Sequence, residues 1–183
     1  KDYLNAGYFY EQLGSFRDSG EMRKEAGYRQ ARDLLEEGRP AEALAKFSAI
    51  REYKDSQDMM DDACQRILGK AKAEYKNGNF QKAAEQLAFI SETKKFSGSA
   101  EKYLTLIEAH GKTVKDGLHD YDRMKELFGR LTELGDFEDA QALRVSDPFI
   151  FYRLEGTWQY GAGRYIIVFR HDKPSSKWYH KDI

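Results

Sequence analysis

The feature that most constrains this chain is an apolar pattern that recurs about 40 residues along the sequence. Ala31, Gly38, Ala43 and Ile50 reappear as Ala71, Gly78, Ala83 and Ile90. In each copy a glycine separates two segments whose apolar residues are spaced by three and four, the periodicity of an amphipathic helix. Recurrence at this spacing is typical of architectures in which short helix pairs stack on one another. We therefore expect stacked helix pairs.

A short turn that begins with an aromatic residue also recurs. Its four copies are Phe16-Arg17-Asp18-Ser19, Tyr53-Lys54-Asp55-Ser56, Phe96-Ser97-Gly98-Ser99 and Phe137-Glu138-Asp139-Ala140. Each copy follows an apolar helical pattern. Aspartate and serine side chains commonly accept hydrogen bonds from the first amides of a helix. We therefore expect Asp55 or Ser56 to cap the helix that follows the second copy.

The pattern Ala31…Gly38…Ala43…Phe47…Ile50 resembles the tetratricopeptide repeat (TPR). That family has small residues where paired helices touch, a glycine at the turn between them and an aromatic residue in the second helix. The resemblance covers residues 1–146. It departs from the family in its period, about 40 residues rather than 34, and in lacking the closing proline. The Tyr-Lys-Asp-Ser turn is similar to that of a divergent bacterial subgroup. The resemblance implies an interaction scaffold with a concave groove.

The apolar spacing also predicts where each helix lies. The predicted helices are 3–14, 18–37 with a break near Gly27, 40–53, 56–77, 80–93, 99–115, 121–134 and 139–145. The first of these stands where the second helix of a pair is expected, so the first repeat is incomplete and its apolar face is exposed. In the helix 56–77 we expect Met59, Ala63, Ile67 and Ala71 to face inward.

The composition changes near the end of the chain. Residues 149–183 are rich in aromatic and β-branched residues, and three strands are predicted at 157–160, 164–170 and 177–180. Three strands cannot close a barrel. We therefore expect residues 147–183 to form an antiparallel β-meander that is either part of a truncated β-domain or a cap on the helices. The predicted fold class is mainly α: a TPR-like α-solenoid over residues 1–146, followed by this meander.

Charge and composition exclude several classes of protein. Thirty basic and 31 acidic residues give a net charge of −1, whereas a nucleic-acid-binding domain usually has a basic excess. No apolar run approaches the roughly 20 residues that cross a bilayer, so we expect no membrane insertion. The chain begins with Lys1 rather than Met, and we expect a fragment of a larger bacterial protein, which leaves its compartment unassigned. Its single cysteine, Cys64, rules out an intrachain disulfide framework.

No group of residues predicts catalysis. His110, His119, His171 and His180 have no zinc-like spacing with one another or with Cys64. The acidic residues near Ser56 are Asp58, Asp61 and Asp62, which are more typical of a helix start and a solvated face than of a cation site. Neither a nucleophile–base pair nor a phosphate-binding loop is evident. We expect no enzymatic activity, cofactor or metal.

Two functions remain open from the sequence. The first is a scaffold that holds a protein or peptide in the concave groove, where the predicted contacts are Arg32, Glu36, Lys72, Lys76 and Asn77. The second is a helical stalk whose β-module binds a carbohydrate or small apolar ligand on an aromatic platform of Trp158, Tyr160, Tyr165 and Trp178. The simpler interpretation of these aromatic residues is packing against the last helix. A homodimer through the exposed repeat end or a strand edge is a further expectation.

Overall fold

The computed structural model describes residues 2–14, 16, 18–113, 116 and 121–149, and the backbone of 156–160 and 165–169. This part of the chain is mainly α-helical, as predicted. The helices are α1 Tyr3–Gln12, α2 Ser19–Glu36, α3 Pro40–Ser48, α4 Ser56–Lys76, α5 Phe80–Ala88, α6 Ser97–His110, α7 Tyr121–Glu133 and α8 Ala140–Arg144, followed by a 3-10 helix at Asp147–Phe149. None of the helices described is both long and apolar enough to cross a membrane.

The chain divides into two compact units, Lys1–Tyr103 and Leu104–Ile183. In the first unit α1 packs against α2, α2 against α3, α3 against α4 and α4 against α5. In the second unit α7 packs against α8. The boundary that the sequence predicts at residue 146 stays a prediction.

The turn between α2 and α3 follows from its glycine. Gly38 has φ 75°, in the left-handed region that a residue without Cβ adopts readily. The amide of Arg39 then donates to the carbonyl of Leu34 (2.9 Å), and the amide of Gly38 donates to that of Leu35 (3.2 Å). This pair of bonds is the Schellman motif that ends many helices. Pro40 begins α3, where its missing N–H costs nothing.

The turn between α4 and α5 has the same geometry. Gly78 has φ 76°. The amide of Asn79 donates to Glu74 (2.9 Å), and the amide of Gly78 donates to Tyr75 (2.9 Å). Two glycines placed 40 residues apart in the sequence thus end their helices in the same way, and each next helix starts two residues later.

The residues predicted to lie between paired helices are buried. Ala31, Ala43 and Phe47 are fully enclosed, and the ring of Phe47 meets that of Tyr28 edge-on at 5.8 Å between centroids. The corresponding residues Ala71, Ala83 and Leu87 are also buried. The small alanines let the backbones approach, and the larger side chains fill the space beside them.

Several details of the predicted helices are wrong. First, α2 is continuous through Gly27, because a single glycine within a helix costs only about 1 kcal/mol, which packing offsets. Second, Met60 rather than Met59 is buried on α4, since the inner face there is rotated by one residue.

Third, α3 ends at Ser48 and α5 at Ala88, earlier than predicted. After α3 the amides of Ile50 and Tyr53 bond to carbonyls three residues back, Phe47 (3.0 Å) and Ile50 (2.8 Å). These tighter turns replace the last helical turns and reverse the chain within a few residues.

The predicted aspartate cap does not form. Asp55 precedes α4, but its side chain accepts no hydrogen bond from the amides at the start of that helix. Its carboxylate instead accepts a hydrogen bond from the hydroxyl of Tyr28 on α2. The α4 helix begins through the backbone, with the amide of Met59 bonded to the carbonyl of Asp55 at 3.0 Å. The aspartate therefore ties the turn to the preceding helix.

Two short strands lie near the end of the described chain. The strands β1 Gly156–Tyr160 and β2 Tyr165–Phe169 pair antiparallel, with Gly156 opposite Phe169 and Tyr160 opposite Tyr165. The third predicted strand, 177–180, lies outside the described residues. The three-stranded meander therefore stays a prediction.

Candidate functional site

The five residues predicted to contact a partner all lie at the surface of the first unit. We call Arg32, Glu36, Lys72, Lys76 and Asn77 the groove face. Arg32 and Glu36 lie on α2, Lys72 and Lys76 lie on α4, and Asn77 follows α4; all five are exposed. Each helix contributes a pair at positions i and i+4, which share one helical face. Their role as contacts stays a prediction.

Two bonds from α4 hold the end of α2 beside it. Lys70 Nζ donates to the carbonyl oxygen of Gly38 at 2.6 Å, and Arg66 Nη1 donates to that of Leu35 at 3.4 Å. The last carbonyls of a helix carry partial negative charge, so cations are stabilised there. The last turn of α2, which carries Glu36, thus lies alongside the middle of α4.

Several cations of the first unit pair with carboxylates, but those of the groove face do not. Arg29 pairs with Glu25, and Arg39 pairs with Glu42. Within the described residues, Arg32, Lys72 and Lys76 make no ion pair. This surface therefore carries three cations that the fold leaves un-neutralised, against the single carboxylate of Glu36.

Lys72 and Lys76 also repel each other. Like charges at i and i+4 on a helix destabilise it by about 0.2–0.5 kcal/mol. This repulsion opposes folding, and an anion bound between the two ammonium groups would relieve it. The pair is therefore suited to binding a negative group.

Buried aromatic rings lie beneath one of these lysines. Lys72 Nζ is 5.8 Å from the centroid of the Tyr103 ring, within the range of a cation–π interaction. Tyr103 is buried and meets the ring of Tyr75 edge-on at 5.4 Å. The position of the Lys72 side chain is thus supported by a packed aromatic surface.

A shallow cavity adjoins Asn77 at the turn between α4 and α5. Its volume is about 580 Å³, and it is lined by Gly78, Asn79, Phe80, Gln81, Lys82 and Glu85. The Phe80 ring contributes apolar surface and lies 5.4 Å from the ring of Tyr75. The sequence predicts a glycine between two helices here, and a second helix from residue 80, but it does not predict the cavity, because a recess formed by a backbone reversal leaves no periodic signal.

Glu25 forms a charged cluster that the sequence analysis did not identify. Its carboxylate accepts hydrogen bonds from Lys54 (2.5 Å), Arg29 (2.8 Å) and the hydroxyl of Tyr53 (3.0 Å). The bonds from Lys54 and Arg29 lower the pKa of Glu25 from 4.5 to about 2. Since Tyr53 and Lys54 belong to the recurring turn, this cluster fixes that turn against α2. The three donors already bind the Glu25 carboxylate, so we assign the cluster a structural role.

A comparable cluster surrounds Glu108 in the second unit. Arg130 donates to its carboxylate at 2.6 Å and Arg123 at 3.2 Å. Burial acts to raise the pKa of Glu108, but the two guanidinium groups outweigh it and the pKa is lowered. On the same helix, His110 Nε2 lies 2.7 Å from Oδ2 of Asp139. These contacts join α6 to α7 and to the turn before α8.

Three residues of the predicted aromatic platform fall on the two strands. Trp158 and Tyr160 are two positions apart on β1, and the register places Tyr165 of β2 opposite Tyr160. Alternate positions of a strand, and positions directly opposite, share one face of a sheet. The backbone therefore places all three positions on one face. Trp178 lies outside the described residues.

The remaining candidates are the acidic residues near Ser56, the cysteine and three histidines. No group of three potential metal ligands occurs in the part of the chain that is described; Asp61 pairs with Lys95 at 2.5 Å, and Asp62 pairs with Arg66 at 2.9 Å. Cys64 is buried, and burial raises the pKa of its thiol. His119, His171 and His180 lie outside the described residues.

Comparison with known proteins gives no independent assignment. No protein-family model matches the chain, and neither a curated protein nor a solved structure is significantly similar to it.

Proposed function

We propose that this chain is a non-enzymatic, TPR-like scaffold that binds a protein or peptide segment along the groove face. The observation that carries the proposal is a set of exposed cations that make no ion pair: Arg32, Lys72 and Lys76. They lie on α2 and α4, the first helices of two successive pairs, and hydrogen bonds from α4 hold the end of α2 beside it. Stacked helix pairs present such residues on one continuous surface, and an extended segment or a helix is the ligand that this kind of surface takes.

The charge of the groove face favours an acidic segment. Three cations and one carboxylate attract negative charge, and the i, i+4 repulsion between Lys72 and Lys76 is relieved when a carboxylate lies between them. The cavity beside Asn77, with Phe80 in its lining, offers an apolar contact to a side chain of the same segment. Charge then sets the choice of partner and the association rate, and the apolar contact adds affinity.

The helical solenoid is part of the same proposal. Its support is the matching Schellman turns at Gly38 and Gly78 and the matching burial of the alanines between paired helices. The balanced charge of the chain, −1 overall, fits a scaffold that does not bind nucleic acid. The sequence also predicts no catalytic group and no cofactor.

A panel of peptides tests the proposal. The fluorescein-labelled peptides have equal length and equal apolar content and differ only in net charge: acidic, neutral and basic. We expect binding, measured by fluorescence anisotropy, to be strongest for acidic peptides and to weaken as salt is raised. Failure of every peptide to bind would contradict the proposal, and equal binding of all three classes would contradict the role of charge.

The β-module is the second candidate. Its support is the register that places Trp158, Tyr160 and Tyr165 on one face, an arrangement suited to stacking on a sugar ring or a small apolar molecule. The chain has only two tryptophans, Trp158 and Trp178, so intrinsic tryptophan fluorescence reports on this segment alone. A saturable change on titration with an oligosaccharide would favour this function, and a flat response across a glycan array would exclude it.

A further inference from the structure

The α1 helix has an apolar face that its own unit does not cover. Leu4, Tyr8, Phe9 and Leu13 are 67%, 58%, 64% and 51% exposed; we call these four residues the α1 face. No residue of α1 is buried, whereas Ala43, Leu44 and Phe47 of α3 are. Helix α3 packs against both α2 and α4, while the extensive contact of α1 is with α2.

The size of this face reaches the lower limit for a specific association between two copies. Together, the exposed fractions of the four residues equal between two and three fully exposed side chains. At ~200 Å² for each large apolar side chain, the exposed area is roughly 500 Å². Patches of several hundred Å² on a protein surface mark interaction sites. If two copies cover each other's α1 face, about 1,000 Å² of apolar surface leaves water, which reaches the size of a specific interface.

The charge of the face allows a second copy to bind. The exposed residues between the apolar ones are Asn5 and Gln12, which are uncharged. Glu11, at the edge of the face, lies 4.0 Å from Arg23 on α2. The nearest other charge is the carboxylate of Asp2, at the start of α1, which accepts a hydrogen bond from the side chain of Asn5 at 2.6 Å. The centre of the face is therefore uncharged, and two identical faces can meet there in a twofold contact.

We propose that the chain self-associates through α1, with a second copy of the chain covering the α1 face. The contact is twofold, with the apolar side chains at its centre and the polar residues around them, as in other homodimer interfaces. It uses no residue of the groove face, because Arg32 and Glu36 lie on α2, Lys72 and Lys76 lie on α4, and Asn77 follows α4.

Sedimentation equilibrium from about 1 to about 200 µM tests the proposal. We expect the apparent mass to rise with concentration to twice the 21.2 kDa of one chain. Tyr8→Glu/Phe9→Glu places charge in the centre of the face and should weaken dimerisation at least ~30-fold, as loss of interface hot spots does. The matched control Ala88→Glu/Phe89→Glu changes two adjacent exposed residues at the end of α5 and should dimerise like the wild type.

A monomeric wild type at the highest concentration would overturn the proposal. A dimer that persists in Tyr8→Glu/Phe9→Glu would also overturn it, and would point to the edge of a strand or another surface. Far-UV circular dichroism checks that the variants keep their helices.

Crosslinking through an introduced cysteine measures dimer formation without adding charge to the α1 face. Gln12→Cys should form a dimer with a short bismaleimide, whereas Phe89→Cys should not, and the buried Cys64 supplies no competing thiol. Equal crosslinking at the two positions would contradict the proposal.

Discussion

The hydroxyl of Tyr28 on α2 donates a hydrogen bond to the carboxylate of Asp55, in the turn that leads into α4. This bond, together with burial, raises the pKa of Tyr28. The second unit contains a counterpart, in which His110 on α6 lies 2.7 Å from Asp139 of the turn before α8. In both units the turn aspartate is thus bound to an earlier helix, which fixes where the next helix begins.

Removing the Tyr28 hydroxyl should destabilise the first unit. In Tyr28→Phe the ring stays and still packs on Phe47, but the carboxylate of Asp55 loses its donor in a partly buried site. A hydrogen bond to a charged group contributes about 1.5–3 kcal/mol, and the partial exposure of this one places the expected loss near the lower value. Urea unfolding measures it.

Tyr8→Phe is the control for this prediction. The Tyr8 side chain is exposed on α1 in a single chain. At protein concentrations too low for self-association, loss of its hydroxyl should therefore change the free energy of unfolding by less than about 0.5 kcal/mol. If the two variants are equally stable, the bond between Tyr28 and Asp55 does not hold the turn.

The role of these aspartates shows where reasoning from the sequence reaches its limit. The recurrence of Phe/Tyr-x-Asp-Ser/Ala located the turns before α4 and α8 correctly, because backbone reversal depends on local chemistry. The third copy was wrong as a turn, since Ser97, Gly98 and Ser99 belong to α6. The bonding partner of Asp55 could not be predicted in the same way. Tyr28 lies 27 residues earlier, and only the packing of α2 beside the turn brings the two together.

Two glycines of α4 and its turn should respond oppositely to alanine. Gly78→Ala places a Cβ on a residue with φ 76° and should cost about 1–2 kcal/mol. Gly69→Ala lies within α4, where nothing is within 4 Å of an added Cβ, and should stabilise the protein by about 0.5–1 kcal/mol. Urea unfolding of the two variants and the wild type measures both effects, and the same sign for both would contradict the geometry of the α4–α5 turn.

The cluster around Glu25 should make stability depend on pH. Its folded-state pKa of about 2 is below its ordinary value of 4.5, so the folded state favours the ionised carboxylate. The stabilisation is complete above pH 4.5 and is lost as the pH falls toward 2. Because the cluster is partly solvent-exposed, we expect a contribution of about 1 kcal/mol.

The comparison of Glu25→Gln with the wild type isolates this contribution from other acidic groups. Urea unfolding should show a stability difference near neutral pH that narrows as the pH falls below 4.5. Glu92→Gln, an exposed site in the turn after α5, should follow the wild type throughout. If the difference in stability between Glu25→Gln and the wild type stays constant with pH, the charge of the Glu25 carboxylate is not the source of the stabilisation.

Only part of the groove face could be predicted from the sequence. Arg32, Lys72 and Lys76 are predicted from the sequence to line the groove; all three are exposed, and their contact with a partner stays a prediction. Which cations lack an ion pair could not be predicted, because pairing depends on neighbours such as Glu25 and Asp62 that approach only in the folded chain. The cavity beside Asn77 was missed for the same reason.

The most direct test of the central claim is the affinity of an acidic peptide for two charge-reversed variants. Lys72→Glu/Lys76→Glu should bind at least about tenfold more weakly than the wild type, because two carboxylates then face the peptide. Arg51→Glu/Lys94→Glu makes the same change in net charge at exposed turn residues that belong to neither α2 nor α4 and should change affinity less than about twofold. Both variants should melt at nearly the wild-type temperature. Equal affinities in the two variants, whether both weakened or both unchanged, would contradict the groove face as the binding surface.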